Sequence, residues 1–183
     1  MFTVREIFRE SIGVLLVSII LGLIAGMFLR NIQDSLIVIL PLIIMLPALN
    51  GMIGNYGIIV TSKITTALDE KKVKNIHSHI IKHLFKDIIP VALFSAVYIS
   101  ILSTFIAYFK GFEFSYFILS KIMLITIVTT LSLVIFIFIV AVIGSLVVYK
   151  KGIDPEDVLI PITTSIADVF SIGIFSLLVS LLF

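Results

Sequence analysis

Five stretches of this sequence, at about residues 12–29, 36–68, 88–108, 116–149 and 156–182, are dominated by apolar residues and long enough to cross a bilayer. Inside hydrocarbon, every backbone N–H and C=O must find a partner within its own segment or a neighbour, so such runs fold as helices. The expected architecture is therefore all-α: an integral, multi-pass plasma-membrane protein with five transmembrane helices in one domain over residues 1–183. Composition agrees. Of the 183 residues, 60% are hydrophobic and only 13% are charged, and the mean hydropathy is +1.28. A soluble domain carries roughly 45–50% apolar and roughly 25% charged residues. The net charge of +2 is too small for a nucleic-acid partner. The absence of cysteine excludes disulfides, thiolate metal sites and a cysteine nucleophile.

Residues 1–11 interleave Arg5, Glu6, Arg9 and Glu10 with Phe2, Val4, Ile7 and Phe8, the pattern of a short amphipathic helix on the membrane surface. The first run is too long, and lacks the small-residue cleavage site, for a removable signal peptide. Within it Ser18, Gly22 and Gly26 fall four apart, a spacing that lets another helix approach closely. Residues 69–87 form the one substantial loop, where Val73, Ile76, Ile80, Leu84 and Ile88 recur at helical spacing and predict an interfacial helix. No soluble regulatory domain is expected. Basic residues orient the chain. Arg5, Arg9, Lys71, Lys72, Lys74, Lys82, Lys86, Lys150 and Lys151 fall on one side, against Arg30 and Lys110 on the other. The positive-inside rule then places the N-terminus in the cytoplasm and the C-terminus outside.

Ten of the eleven acidic residues lie in loops or at span ends; Asp168 does not. It falls about 12 residues into the fifth span, about 18 Å along the helix and near the bilayer midplane. A carboxylate there costs at least about 2.5–3.5 kcal/mol, so it needs a proton, water, a cation or a partner from another helix. Thr164, Ser165, Asp168 and Ser171 share one helical face at spacings of three and four. That stripe suits a wet cavity or interhelical hydrogen bonds. Pro161, upstream, frees a backbone carbonyl. In the second span, the run from Pro47 to Asn55 holds Asn50, Gly51 and Gly54 as well. Such a segment predicts a helix kinked or unwound at membrane depth, as in transport sites. Asn50, Gly54, Gly57, Thr61 and Thr65 continue as a small and polar stripe. Before the fifth span, Asp154 is the expected N-cap with Pro155 at the first helical position, and Glu156 and Asp157 complement the helix dipole. Asp154, Glu156 and Asp157 are also candidates for attracting cations at a cytoplasmic entrance. His79 and His83, four apart, and nearby His77 read as a solvated helix face rather than a metal site.

Together these segments resemble the membrane domain of the MgtE-type divalent-cation transporter family and its animal solute-carrier relatives. One matching pattern is Pro-x-Leu-x-Gly-x-x-Gly-Asn from Pro47 to Asn55, followed by Ser62-Lys63-Ile64-Thr65-Thr66. The other is Asp154-Pro155, then Pro161, Thr163, Thr164 and Asp168, the second acid fourteen residues after the first. The resemblance covers nearly the whole chain. It implies a magnesium-permeable pore made by a homodimer of five-span units and lined by spans two and five. Asp168 then meets the ion near the pore axis, with Asn50, Gly51, Gly54, Asn55, Thr61, Ser62, Thr65, Pro161, Thr164, Ser165 and Ser171 as pore-lining or ion-shell candidates. Mg2+ is the implied cargo, and no organic cofactor is implied. Two departures matter: bacterial members carry a cytoplasmic sensor ahead of this domain, and Lys63 stands where animal relatives commonly have Arg.

Transport of another hard cation, such as cobalt, manganese or sodium, needs similar oxygen ligands. A non-transporting structural membrane protein is the other reading left open. The chain has no His-Glu-x-x-His, no Gly-x-Ser-x-Gly and no second spanning Asp, so an enzyme is not expected.

Overall fold

A computed structural model describes residues 4–73 and 75–183; before Ile19 it describes side chains only for Ile12 and Leu16. The described residues form helices α1 (Val4–Asn31), α2 (Gln33–Val38), α3 (Leu40–Asp69), α4 (His79–Phe109), α5 (Tyr116–Lys150) and α6 (Pro155–Leu182), with no β-strand among them. Four of these, α3 to α6, are long and apolar enough to cross a membrane, and the described part of α1 adds a shorter apolar stretch at Ile19–Asn31. The side chains of the expected surface helix at residues 1–11 lie outside the described residues.

Helices α3, α5 and α6 pack against one another as a central triangle. Helix α1 flanks α6, and α4 lies against α3 and α5 on the other side. Two apolar clusters hold this arrangement. Leu42, Met45, Leu49 and Ile53 of α3 meet Ile125 and Ile137 of α5 and Ala167 and Phe175 of α6. Tyr56, Val60 and Ile64 meet Ile88 and Ala92 of α4 and Val134 and Phe138 of α5. Phe85 and Phe138 add an edge-to-face contact with centroids 5.1 Å apart. Two glycines sit where neighbouring helices come close. A Cβ on Gly57 would lie 2.8 Å from Thr163 Oγ1, and one on Gly144 would lie 2.6 Å from Leu159 Cδ2. At Gly57 the Thr163 Cβ, 2.9 Å away, leaves room only for hydrogen, whereas at Gly144 the end of the Leu159 side chain would have to turn aside.

Three sequence expectations are corrected. First, α3 runs unbroken as helix from Leu40 through Pro47 and Asn55 to Asp69, so no unwound segment exists there. Pro47 gives up one bond, to the Ile43 carbonyl, and the remaining turns propagate the helix around it. The interruption falls earlier, at Ile39, which has φ −106° and ψ 81°. Pro41 has no N–H to give the Ile37 carbonyl, so α2 stops and α3 starts afresh. Second, the interfacial helix over residues 69–87 is not separate. Helix α4 starts at His79 and runs straight into the third span, through Pro90. Third, Gly22 and Gly26 meet nothing within 4 Å in this chain. Helix α1 instead reaches α6 at Phe28, whose ring lies 3.6 Å from a Cβ built on Gly173.

The two tight turns use glycine where the chain needs positive φ: Gly111 at 91° and Gly152 at 74°. At the start of α6, Asp154 Oδ1 accepts the Glu156 N–H at 2.9 Å, with Pro155 in the first turn, so the expected cap is present. Lys121, near the start of α5, is also accounted for. Its Nζ donates to the Leu182 carbonyl at the end of α6 and lies 4.6 Å from the ring centres of Phe117 and Phe183.

Candidate ion site

Helix α6 brings Asp168 to the same depth as Asn50 of α3, and the two side chains meet. Asn50 Nδ2 donates to Asp168 Oδ1 at 2.8 Å. The same amide accepts, through Oδ1, a short hydrogen bond from the Ser171 hydroxyl. Ser171 Oγ also lies 3.3 Å from the Asp168 carbonyl, one helical turn behind it. Asn50 thus holds a carboxylate on one side and a hydroxyl on the other. Asp168 itself is exposed on the outside of the chain, while Ser171 is buried.

The wall around this triad is small and polar. Gly54, one turn below Asn50 on α3, faces Thr164, whose Cγ2 would lie 3.9 Å from a Cβ at that glycine. Thr163 and Thr164 bond back to carbonyls of their own helix, at 2.7 Å to Leu159 and 2.8 Å to Ile160. Those carbonyls lie around Pro161, whose missing N–H leaves the Asp157 carbonyl without its helical donor. Ser165 and Pro161 are half-buried on the same helix.

The other candidates are placed elsewhere. Gly51 and Asn55 lie on a different face of α3, in an open cavity of about 470 Å³ with Pro47, Met52, Tyr56 and Val91. Five residues on a helix rotate a side chain by about 140°, so Asn50 and Asn55 cannot both face Asp168. Ser62 is half-buried, and its carbonyl accepts from Thr66 at 2.9 Å. Thr61 and Thr65 are buried, and neither hydroxyl has a hydrogen-bond partner.

Thr65 belongs to a second polar region, where α3 and α5 end and α6 begins. A cavity of about 450 Å³ there is lined by Thr65, Asp69, Tyr149, Gly152, Ile153, Asp154 and Pro155. Asp154 is the only one of the three entrance candidates in its wall; Glu156 is half-buried and Asp157 exposed. Asp69 and Tyr149 were not among the sequence candidates. Asp69 was legible as the next polar position, four residues on, of the Thr61–Thr65 stripe. Among the described residues, no three His, Cys, Asp or Glu side chains gather as a metal site. In one copy of the chain Asp168 is a lone carboxylate.

The family model for MgtE, a divalent cation transporter, matches residues 46–178. That span holds Asn50, Asp168 and Ser171, most of α3 and α6, and all of α4 and α5. No curated protein matches the chain.

Proposed function

The chain belongs to the MgtE family of divalent cation transporters, and from that membership we propose that it conducts magnesium past Asp168 in a pore lined by α3 and α6. MgtE is a transporter family and not an enzyme family, and the apolar helices make this a multi-pass membrane protein. The finer reading rests on one observation: the Asn50–Asp168 hydrogen bond of 2.8 Å, on an outward face midway along two spanning helices.

Lipid is a poor neighbour for that face. A carboxylate exposed to hydrocarbon costs several kcal/mol, and Asn50, which donates to it, is neutral. A homodimer that buries this face against its own copy removes the cost. It also brings two Asp168 carboxylates to one axis. Two such groups repel each other, and a divalent cation between them relieves the repulsion. Magnesium takes six oxygens at octahedral geometry and dehydrates reluctantly, so it keeps most of its waters. The pore then needs few direct ligands. Asp168 supplies charge, and Ser165, Thr164 and carbonyls near Pro161 accept from or donate to the hydration shell. Asn50 fixes the carboxylate rotamer. With the loop between α3 and α4 in the cytoplasm, as the lysines favour, inward flow of a doubly charged ion gains about 4.6 kcal/mol per 100 mV.

Thermal unfolding with and without metal tests the reading. Binding to the folded state alone raises stability as ligand exceeds its dissociation constant, by about 2.7 kcal/mol at a hundredfold excess. Millimolar magnesium should raise the Tm of the wild type, and Asp168→Ala should abolish that rise. A metal response that survives in Asp168→Ala would remove Asp168 from the ion path.

A further inference from the structure

The second polar region, where α3 and α5 end and α6 begins, contains something the pore reading does not use. Three buried hydroxyls lie in the halves of α3 and α5 that lead to that end: Thr61 and Thr65 on α3 and Ser145 on α5, with Thr65 in the cavity wall. None of the three has a hydrogen-bond partner. Among the described residues, six of the twelve buried hydroxyls are bonded and six are not. Thr66, Ser100, Thr104, Thr126, Thr163 and Thr164 all satisfy their hydroxyls by bonding back to a carbonyl one turn earlier. Thr61, Thr65 and Ser145 do not, and an unmet hydroxyl in a buried place costs about 1–3 kcal/mol. Thr129, Thr130 and Ser176 are also unpartnered, but they lie further along α5 and α6, away from this end.

The three hydroxyls line up with charge. Thr61, Thr65 and Asp69 are successive turns of one face of α3, and Ser145 and Tyr149 are successive turns of α5. Thr65, Asp69 and Tyr149 line the 450 Å³ cavity together with Asp154. The Tyr149 ring and the Asp69 carboxylate belong to the same wall of that cavity. The oxygen set is hard throughout, with no sulfur or imidazole. Two helix C-termini, those of α3 and α5, point their negative dipole ends at the cavity. The start of α6 also meets the cavity, where Asp154 caps it through Oδ1 alone. Lys72 pairs with Glu70 at 2.6 Å and is exposed, and Lys150 and Lys151, between Tyr149 and Gly152 in sequence, are exposed as well.

We propose that this cavity is a second cation site, separate from Asp168, in which Asp69 and Asp154 attract a hydrated divalent cation and Thr65 holds one of its waters. The choice of a divalent cation rests on the transport reading above. The ion keeps its hydration shell, because the cavity is wide and the protein oxygens few. Ser145 and Thr61 carry the chain of water-bonding groups one turn further in. The site is a loading point at the mouth of the path.

Bound Mn2+, counted by electron paramagnetic resonance on the full chain in nanodiscs, separates the two sites. Wild type should show two classes of bound ion. Asp168→Asn should lose one class and keep the mouth class. Asp69→Asn should lose the mouth class and keep the other. Thr65→Val removes an unpartnered hydroxyl at equal volume, so it keeps the fold, and a purely structural threonine would leave Mn2+ binding unchanged. The expected result is instead about tenfold weaker binding in the mouth class, with Tm unchanged or raised. Wild-type Mn2+ binding in Asp69→Asn would overturn the site, whatever Asp168→Asn does. Wild-type binding in Thr65→Val would overturn the role given to Thr65. A failure of Asp168→Asn alone to change anything would count against the pore reading and leave the mouth site standing.

Discussion

Asp168 is the residue on which the proposed chemistry turns, and Asn50 donates to its carboxylate at 2.8 Å. The carboxylate was conspicuous in the sequence because it alone among the acids falls deep inside an apolar run. Its partner was harder to single out. Asn50 and Asn55 occur in the same motif, and only the rotation of α3 against α6 decides that Asn50 makes the 2.8 Å contact. Asn50→Ala removes a donor to Asp168 and an acceptor for Ser171 together. The loss of a charge-assisted hydrogen bond is worth about 1.5–3 kcal/mol. Magnesium-dependent stabilisation should weaken by about tenfold or more in midpoint concentration, read from thermal unfolding across a metal titration. Asn55→Ala, on the other face, should leave that midpoint unchanged.

At the scale of helices, the order of the last four long apolar segments was readable from hydropathy alone, and their ends agree with α3 to α6 within a few residues except at the start of α4. What hydropathy did not reveal was how the prolines and glycines are used. Pro41 ends a helix because it follows a short one, whereas Pro47 is absorbed into a helix that neighbours hold on several sides. The glycines of α3 serve packing at Gly57, where Thr163 comes too close for any side chain. Substituting Gly57 by Leu, or Gly144 by Leu, forces apart α3 and α6 or α5 and α6. Overpacking of this kind costs about 1–3 kcal/mol or more and should appear as a lower Tm. Gly22→Ala, where nothing lies within 4 Å, should be neutral or slightly stabilising, since alanine favours helix by up to about 1 kcal/mol. Equal Tm for Gly57→Leu and wild type would contradict the tight α3–α6 contact.

For the whole molecule, a face that is polar at mid-depth and exposed in one copy demands a cover. The lone-carboxylate pattern was legible in the sequence, but its exposure was not, because outward and inward faces of a spanning helix are both apolar elsewhere in this chain. The absence of cysteine makes the test clean. Thr164→Cys, on the face of Asp168, should form an intersubunit disulfide on mild oxidation, whereas Phe94→Cys, 73% exposed on α4, should not. Equal crosslinking at the two positions would argue against a specific dimer through α3 and α6. The membrane orientation is tested separately, by labelling a cysteine placed at Asn75 between α3 and α4. It should react from the cytoplasmic side only.

Magnesium flux into liposomes, measured for wild type and Asp168→Asn at matched protein density, addresses the ion path itself. Wild type should admit magnesium and pass more of it as an inside-negative potential is imposed, and Asp168→Asn should reduce flux by at least tenfold while remaining folded. Equal flux from the two proteins would mean that the ion does not pass by this carboxylate.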